Sequence, residues 1–205
     1  MKNNKLTLIM GGARSGKSEF AEQWAAGMMV PVTYVATLFV GDEEMCQRVS
    51  AHKERRPTSW VTLEEPCYLP EQIREAGQEP GVILVDCLTG WISNLLLDEN
   101  LPKPESTDKE KEEYIMSRVV DLVEAVNSSN AGVLMVSNEV GMGLVPHYPL
   151  GRAFRDISGK VNRYLASVAD EVYLVVAGLA VEIKSLAVNL GAGDRRQETG
   201  DRRKT

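Results

Sequence analysis

The residues best suited to do chemistry form a glycine-rich segment near the N-terminus. Gly11–Ser18 reads GGARSGKS and fits the pattern G-x-x-x-x-G-K-[ST], in which backbone N–H groups surround phosphate oxygens. Lys17 can reach the β and γ phosphates of a nucleotide, and the Ser18 hydroxyl can bind Mg²⁺. The alternative is a glycine-rich turn with a chance lysine. The segment follows an apolar run and opens a helical pattern, so the sequence predicts a nucleoside triphosphate site.

A carboxylate suited to complete a magnesium site ends the most hydrophobic segment of the chain, Val82–Asp86. Asp86 could hold the metal directly or through water. The alternative is that Asp86 caps the helix that follows, because Asp is favoured at that position, and one residue could serve both purposes. We therefore predict that Ser18 and Asp86 are the metal ligands.

One of the two histidines, His52, lies in the charged run RVSAHKERRP at Arg48–Pro57. A neutral imidazole is a competent nucleophile toward phosphorus, and the phosphoramidate that it forms can pass its group onward. The nearby cations Lys53, Arg55 and Arg56 could neutralise phosphate charge during such a transfer. The alternative is an exposed histidine at a charged, solvated helix end. From these residues alone both interpretations stay open.

The elements that must position these residues alternate along the chain. The complete set of predicted strands is Leu6–Met10, Val32–Ala36, Val82–Asp86, Val133–Val136 and Val172–Val176. Helices are predicted at Ser18–Met28, Met45–Lys53, Leu88–Leu97, Glu110–Val126 and about 150–169, and a surface loop at Asp98–Asp108. This alternation is typical of an α/β fold with a mostly parallel sheet flanked by helices. We predict one domain at 1–186 and a polar C-terminal tail at 187–205.

Composition and charge narrow the classes of function. The 205 residues carry a net charge of -6, which disfavours extended nucleic-acid binding, although basic residues cluster in the tail. Three widely spaced cysteines indicate neither a disulfide framework nor a zinc site. No apolar stretch approaches the roughly 20 residues that span a bilayer. The N-terminus has no signal-peptide layout, so we expect a cytoplasmic protein.

Further motifs are spread along most of the chain. They lie at Met10–Ser18, Tyr34–Thr37, Asp42–Met45, Arg48–Trp60, Thr62–Pro66, Val85–Thr89, Ser93–Leu95, Ser137–Pro146 and Phe154–Gly159. With them the sequence resembles the bifunctional adenosylcobinamide kinase/adenosylcobinamide-phosphate guanylyltransferase family of cobalamin biosynthesis, over roughly residues 6–184. Many enzymes share the phosphate loop. The combination of H-x-x-x-R-P-x-x-W-x-T-x-E with N-E-V-G-x-G is far more specific.

The resemblance implies a RecA-like P-loop fold, a homotrimer and two reactions. The first phosphorylates adenosylcobinamide with ATP or GTP. The second takes GMP from GTP onto a histidine, here His52, and passes it to adenosylcobinamide phosphate, giving adenosylcobinamide-GDP. Lys17 is the second catalytic residue. The implied nucleotide contacts are Gly11, Gly12, Ala13, Arg14, Ser15, Gly16, Lys17, Ser18, Ala36, Thr37, Leu38, Lys53, Glu54, Arg55, Arg56, Glu64 and Asp86.

The sequence departs from the family pattern at a few positions. Ala51 stands where many relatives carry a second histidine, and Gly90 and Trp91 stand where bulkier aliphatic residues are expected. The segment Asn138–Gly141 follows a strand and is either a substrate or nucleotide contact through Glu139 or a tight, glycine-shaped turn. His147 has no motif around it and is expected in a surface loop.

Two other functions compete with the two-step enzyme. A simple P-loop small-molecule kinase would leave His52 as a bystander. A RecA-like nucleotide switch or DNA-binding ATPase would act through conformation, although the acidic charge balance and the histidine segment argue against it.

Overall fold

A computed structural model of the chain describes residues 5–38 and 56–188. Within them, the strands are β1 (Leu6–Gly11), β2 (Val32–Ala36), β3 (Val61–Glu64), β4 (Val82–Asp86), β5 (Gly132–Asn138), β6 (Glu171–Val176) and β7 (Leu179–Glu182). The helices are α1 (Lys17–Gly27), α2 (Leu69–Ala76), α3 (Leu88–Leu97), α4 (Asp108–Ser128) and α5 (Pro149–Val168). The predicted helix Met45–Lys53 lies outside the described residues.

The strands form one sheet in the order β3-β2-β4-β5-β1-β6-β7. Every neighbouring pair is parallel except β6 and β7, which form an antiparallel hairpin at the edge. The predicted α/β fold with a mostly parallel sheet is therefore confirmed. In such sheets, ligands bind beyond the carboxyl ends of the strands.

The apolar runs of the central strands exist because both faces of the sheet are covered. Leu8 packs into one core cluster and its neighbour Ile9 into the other, as the alternation of side chains along a strand requires. Helix α1 covers the Ile9 face with Ala21 and Ala25. Helices α2 to α5 cover the opposite face.

Three elements were missed by the sequence prediction, so the expected strand set was incomplete. Strands β3 and β7 are the two edges of the sheet, and most of their side chains are exposed or only half-buried. They therefore lack the continuous apolar runs that mark the central strands. Helix α2 spans 8 residues and carries Pro70 in its first turn, so its periodic signal is short.

The predicted surface loop at Asp98–Asp108 is present and ends where α4 begins. Thr107 caps this helix: its hydroxyl accepts from the Glu110 N–H at 3.3 Å, while the Glu110 carboxylate accepts from the Thr107 N–H at 2.9 Å. This reciprocal cap satisfies donors that the first turn leaves free. None of the helices in the described part of the chain combines the length and apolarity that crossing a membrane requires.

Candidate active site

The phosphate loop connects β1 to α1 at the carboxyl edge of the sheet. Gly16 has φ +94°, a left-handed conformation that suits glycine. A Cβ on Gly11 would lie 2.5 Å from the Val175 carbonyl oxygen, so only glycine fits where β1 ends against β6. Lys17 is the first residue of α1, and its Nζ donates to the Gly12 carbonyl at 3.1 Å across the loop.

The Lys17 ammonium is a buried charge close to a carboxylate. Burial lowers the pKa of Lys17 below 10.5, whereas the nearby Cys87 and Asp86 act in the opposite direction. Lys17 starts the helix that follows β1 and Asp86 ends β4, and these two strands are separated in the sheet by β5. The fold therefore brings Lys17 of the loop and the predicted metal ligand Asp86 close enough for their charges to interact.

The turn between β6 and β7 touches the phosphate loop from the side. Ala177 and Gly178 in this turn have φ of 52° and 80°. The Gly178 N–H donates to the Ser15 carbonyl at 2.8 Å. A Cβ on Gly16 would lie 3.2 Å from the Gly178 Cα, so the two backbones are closely packed.

Asp86 is held by an aromatic side chain that the sequence prediction missed. The Tyr34 hydroxyl donates to Asp86 Oδ2 at 2.9 Å, and the Arg56 guanidinium lies 3.3 Å from the centre of the Tyr34 ring. Burial, with Asp86 nearby, raises the pKa of Tyr34, so the phenol stays a neutral donor. Cys87, not Asp86, is the N-cap residue of α3. The helix-capping alternative for Asp86 is therefore wrong.

Thr37 lies behind the wall of the site and holds β2 to the start of α3. Its hydroxyl donates to the Cys87 carbonyl at 2.6 Å and accepts from the Cys87 N–H at 3.0 Å. The Thr37 carbonyl in turn accepts from Asn94 Nδ2 at 2.7 Å. The Thr37 side chain is fully buried, so its role among the described residues is to fix the ends of β2 and β4. Burial raises the pKa of Cys87 to about 11, which keeps its thiol neutral.

These strand ends and loops enclose a cavity of about 840 Å³. Most of the predicted contacts line it: Ala13, Arg14, Ser15, Gly16, Lys17, Ser18, Ala36, Leu38, Arg56, Glu64 and Asp86. Gly11, Gly12 and Thr37 do not. The predicted nucleophile His52 and the contacts Lys53, Glu54 and Arg55 lie outside the described residues.

The cavity also has lining residues that were not predicted as site residues: Glu19, Tyr34, Cys87, Thr89, Gly90, Ser93, Asn138, Val140 and Phe154. Thr89 and Asn138 follow β4 and end β5, and the Asn138 N–H donates to the Thr89 hydroxyl at 2.7 Å. Their position at neighbouring strand ends is the signal that could have identified them. Phe154 lies within α5 and carries no comparable signal.

The segment after β5 combines a structural turn with part of the cavity wall. The Glu139 N–H donates to the Gly11 carbonyl at 2.9 Å, and its carboxylate accepts from the Gly141 N–H at 2.7 Å. These bonds match the turn alternative for Glu139. Asn138 and Val140 nevertheless line the cavity on either side of it. His147 is exposed in the loop that follows, as predicted.

The donor set of the cavity suits a hard cation. Ser18 offers a hydroxyl and Asp86 a carboxylate in the same cavity. Nowhere in residues 5–38 and 56–188 do three or more His, Cys, Asp or Glu side chains cluster as a metal site would require. Mg²⁺ commonly takes one or two protein oxygens and completes its shell with phosphate oxygens and water. The residues present therefore fit Mg²⁺ delivered with a nucleotide.

Comparison with known proteins gives a consistent result. Residues 7–183 match the family described as cobinamide kinase / cobinamide phosphate guanyltransferase. The chain is 42% identical over 181 residues to the bifunctional adenosylcobalamin biosynthesis protein CobU of Escherichia coli (strain K12), covering 87% of this chain and 99% of that protein. It is 40% identical over 177 residues to the protein CobP of the same description from Pseudomonas aeruginosa, covering 86% and 96%.

Similar solved structures support the fold. A prototypical ATPase from the type III secretion system of pathogenic bacteria aligns with a TM-score of 0.54 at 13% identity, over 92% of this chain and 59% of that chain. A protein from Pyrococcus horikoshii OT3 aligns with a TM-score of 0.52 at 11% identity, over 90% and 88%. Together with the strand order, the phosphate loop between β1 and α1 and the family match, these similarities confirm the predicted P-loop fold with a mostly parallel sheet flanked by helices.

Proposed function

The chain belongs to the cobinamide kinase / cobinamide phosphate guanyltransferase family, and from this premise we propose that it runs its two reactions through a GMP adduct on His52. It phosphorylates adenosylcobinamide with ATP or GTP. It then transfers GMP from GTP to adenosylcobinamide phosphate, giving adenosylcobinamide-GDP. The observation that carries the proposal is one cavity of about 840 Å³ that brings together Lys17, Ser18 and Asp86.

The phosphate loop binds the triphosphate in this proposal. Its backbone N–H groups and the N-terminus of α1 supply partial positive charge. The Lys17 ammonium stabilises the charge that develops on the transferred phosphoryl group. Ser18 and Asp86 would hold Mg²⁺, and the bound ion would neutralise part of the phosphate charge. Tyr34 orients the Asp86 carboxylate through its hydroxyl.

The second reaction needs a nucleophile as well as the loop. A nitrogen of neutral His52 attacks the α-phosphorus of GTP, an N–P bond forms, the bond to the bridging oxygen breaks and pyrophosphate leaves. A phosphate oxygen of adenosylcobinamide phosphate then displaces the imidazole, which frees His52. Arg56, four residues after His52 in the sequence, lines the cavity and supports a shared site for both steps.

Intact-mass measurement after incubation with GTP and Mg²⁺ tests this function. Wild type should gain the mass of one GMP, released by acid and resistant to hydroxylamine, as a phosphoramidate is. Adduct formation should fall as the pH is lowered, because protonation removes the lone pair that the imidazole nitrogen needs as a nucleophile. His52→Asn should abolish the adduct and guanylyl transfer while leaving phosphorylation of adenosylcobinamide largely intact.

The chain's other histidine provides the matched control. His147 is exposed in the loop after β5, so His147→Asn should keep the adduct. An adduct that survives in His52→Asn would name another nucleophile. No adduct in wild type would favour a simple small-molecule kinase.

We further propose that the enzyme works in the cytoplasm as a homotrimer. The location and the trimeric state are both proposed because the sequence resembles this family. Light scattering of the 205-residue chain tests the assembly, and a monomeric mass at micromolar concentration would contradict it.

A further inference from the structure

We propose that the loop between β5 and α5 forms an apolar ridge, Gly141–Tyr148, that binds the macrocycle of the acceptor substrate. This inference rests on the proposed function, because it assigns the acceptor's place in the same site. The acceptor, a cobinamide in the family's description, carries a large macrocycle whose ring carbon atoms are apolar and whose side chains are neutral amides.

The ridge is an unusual surface for a chain in which 25% of residues are charged. Its eight residues, GMGLVPHY, include no Asp, Glu, Lys or Arg. Met142 and Leu144 are 82% and 96% exposed, and Val145 is also exposed. Contiguous exposed apolar side chains mark binding surfaces more often than isolated ones do.

Contacts at both ends hold the ridge in place although its apolar side chains face solvent. At its start, the Glu139 carboxylate accepts from the Gly141 N–H. At its end, Arg152 Nη1 donates to the carbonyls of Pro146 at 3.2 Å and His147 at 2.6 Å. A Cβ on Gly151 would lie within 2.6 Å of the Tyr148 ring, so α5 packs tightly against the ridge.

The strand order places the ridge where an acceptor must enter. Strand β5 lies between β1, which leads into the phosphate loop, and β4, which ends at Asp86. The ridge therefore leaves the sheet between the two groups that bind the triphosphate and its metal. Val140, just before the ridge, and Phe154, six residues after it in α5, line the cavity.

The acceptor's own geometry then points to this surface. Its hydroxyl, or its phosphate in the second reaction, must reach into the cavity, so the macrocycle has to lie at the cavity mouth. A triphosphate gains nothing from an uncharged apolar ridge, whereas a macrocycle face is stabilised by burying apolar area against it. A second copy of this chain could also cover apolar side chains, so the experiment must separate the two.

The double variant Met142→Ser/Leu144→Ser tests the ridge, because both side chains are too exposed to support the fold. KM for adenosylcobinamide, and for its phosphate in guanylyl transfer, should rise about tenfold, with KM for ATP unchanged. GMP adduct formation from GTP needs no acceptor and should persist. Met29→Ser is the matched control, since Met29 is 91% exposed just after the end of α1 that points away from the phosphate loop.

Three results would overturn the proposal. Unchanged KM for both acceptors would show that the ridge does not touch them. A smaller assembly in light scattering would assign the ridge to contacts between copies, and a raised KM for ATP would assign it to the nucleotide. Absence of any cobinamide turnover in wild type would instead count against the proposed function itself.

Discussion

The backbone N–H of Gly178 donates a 2.8 Å hydrogen bond to the carbonyl of Ser15 in the middle of the phosphate loop. Gly178 belongs to the tight turn between β6 and β7, the antiparallel pair at the edge of the sheet. The loop is therefore shaped from two directions, by its own glycines and by a hairpin far along the chain. Nucleotide affinity should depend on both.

Gly178→Ala should weaken nucleotide binding. Its φ of +80° suits glycine, and an L side chain in the left-handed region costs about 1–2 kcal/mol. If the turn moves to relieve this strain, Ser15 loses its partner and KM for ATP and GTP rises by at least about fivefold. Steady-state kinetics measures this. Ala177→Gly is the control: it relaxes the neighbouring residue, which has φ 52°, and should not raise KM. An unchanged KM in Gly178→Ala would show that the turn does not shape the loop.

Two adjacent glycines of the loop should respond differently to the same substitution. A Cβ on Gly11 would lie 2.5 Å from the Val175 carbonyl oxygen, whereas a Cβ on Gly12 would meet nothing within 4 Å. Gly11→Ala should lower the free energy of unfolding by about 2 kcal/mol and Tm by about 4–8 °C. Gly12→Ala should leave Tm nearly unchanged. Thermal unfolding compares the two, and equal Tm values would contradict the packing of β1 against β6.

Lys17 should give the kinase an alkaline limit below the usual range of a lysine. Burial lowers its pKa below 10.5, so as pH rises the ammonium loses its charge earlier than an exposed lysine would. In wild type, kcat/KM for ATP, which reports the free enzyme, should fall along this limb. Lys17→Ala should lower kcat/KM at pH 7 by about a hundredfold or more and remove the limb. Wild-type turnover by the variant would refute the assignment of the phosphate loop.

The Tyr34 hydroxyl should tune the magnesium requirement through Asp86. Tyr34→Phe removes a 2.9 Å hydrogen bond worth about 1 kcal/mol but keeps the ring beneath Arg56. The Mg²⁺ concentration for half-maximal activity should therefore rise about fivefold, and more in Asp86→Asn, which removes the charge. Tyr173→Phe is the control, because that hydroxyl contacts Glu171 instead. Identical magnesium titrations of Tyr34→Phe, Asp86→Asn and wild type would leave Asp86 without a metal role.

The sequence was most informative where a segment is buried on two sides. The five predicted strands, β1, β2, β4, β5 and β6, are the five interior strands of the sheet, whose apolar runs follow from helices on both faces. Strands β3 and β7 were missed because an edge strand has one neighbour and half-exposed side chains, so local composition says little about it. The phosphate loop could be predicted without knowing which strands lie beside it. The spacing of its glycines, lysine and serine is what places backbone N–H groups and side chains around a phosphate.

The rest of the site depends on contacts between distant segments. Tyr34 reads as an ordinary buried residue of β2, and its bond to Asp86 exists only because β2 and β4 are neighbours in the sheet. Thr37 was predicted as a nucleotide contact, but its side chain points away from the cavity and is hydrogen-bonded to the Cys87 backbone. Strand order decides both outcomes, and no local pattern encodes it.

The hairpin that closes the phosphate loop also sets the order in which the site is completed during synthesis. Gly11–Ser18 leaves the ribosome early, while Gly178 follows about 160 residues later, roughly 8–30 s at typical translation speeds. The two strands beside β1, β5 and β6, also come from the second half of the chain. A nascent chain therefore carries the glycine loop long before it contains either strand that pairs with β1 or the turn that bonds to Ser15. Nucleotide can act as a ligand that stabilises the fold only once nearly the whole domain has been made.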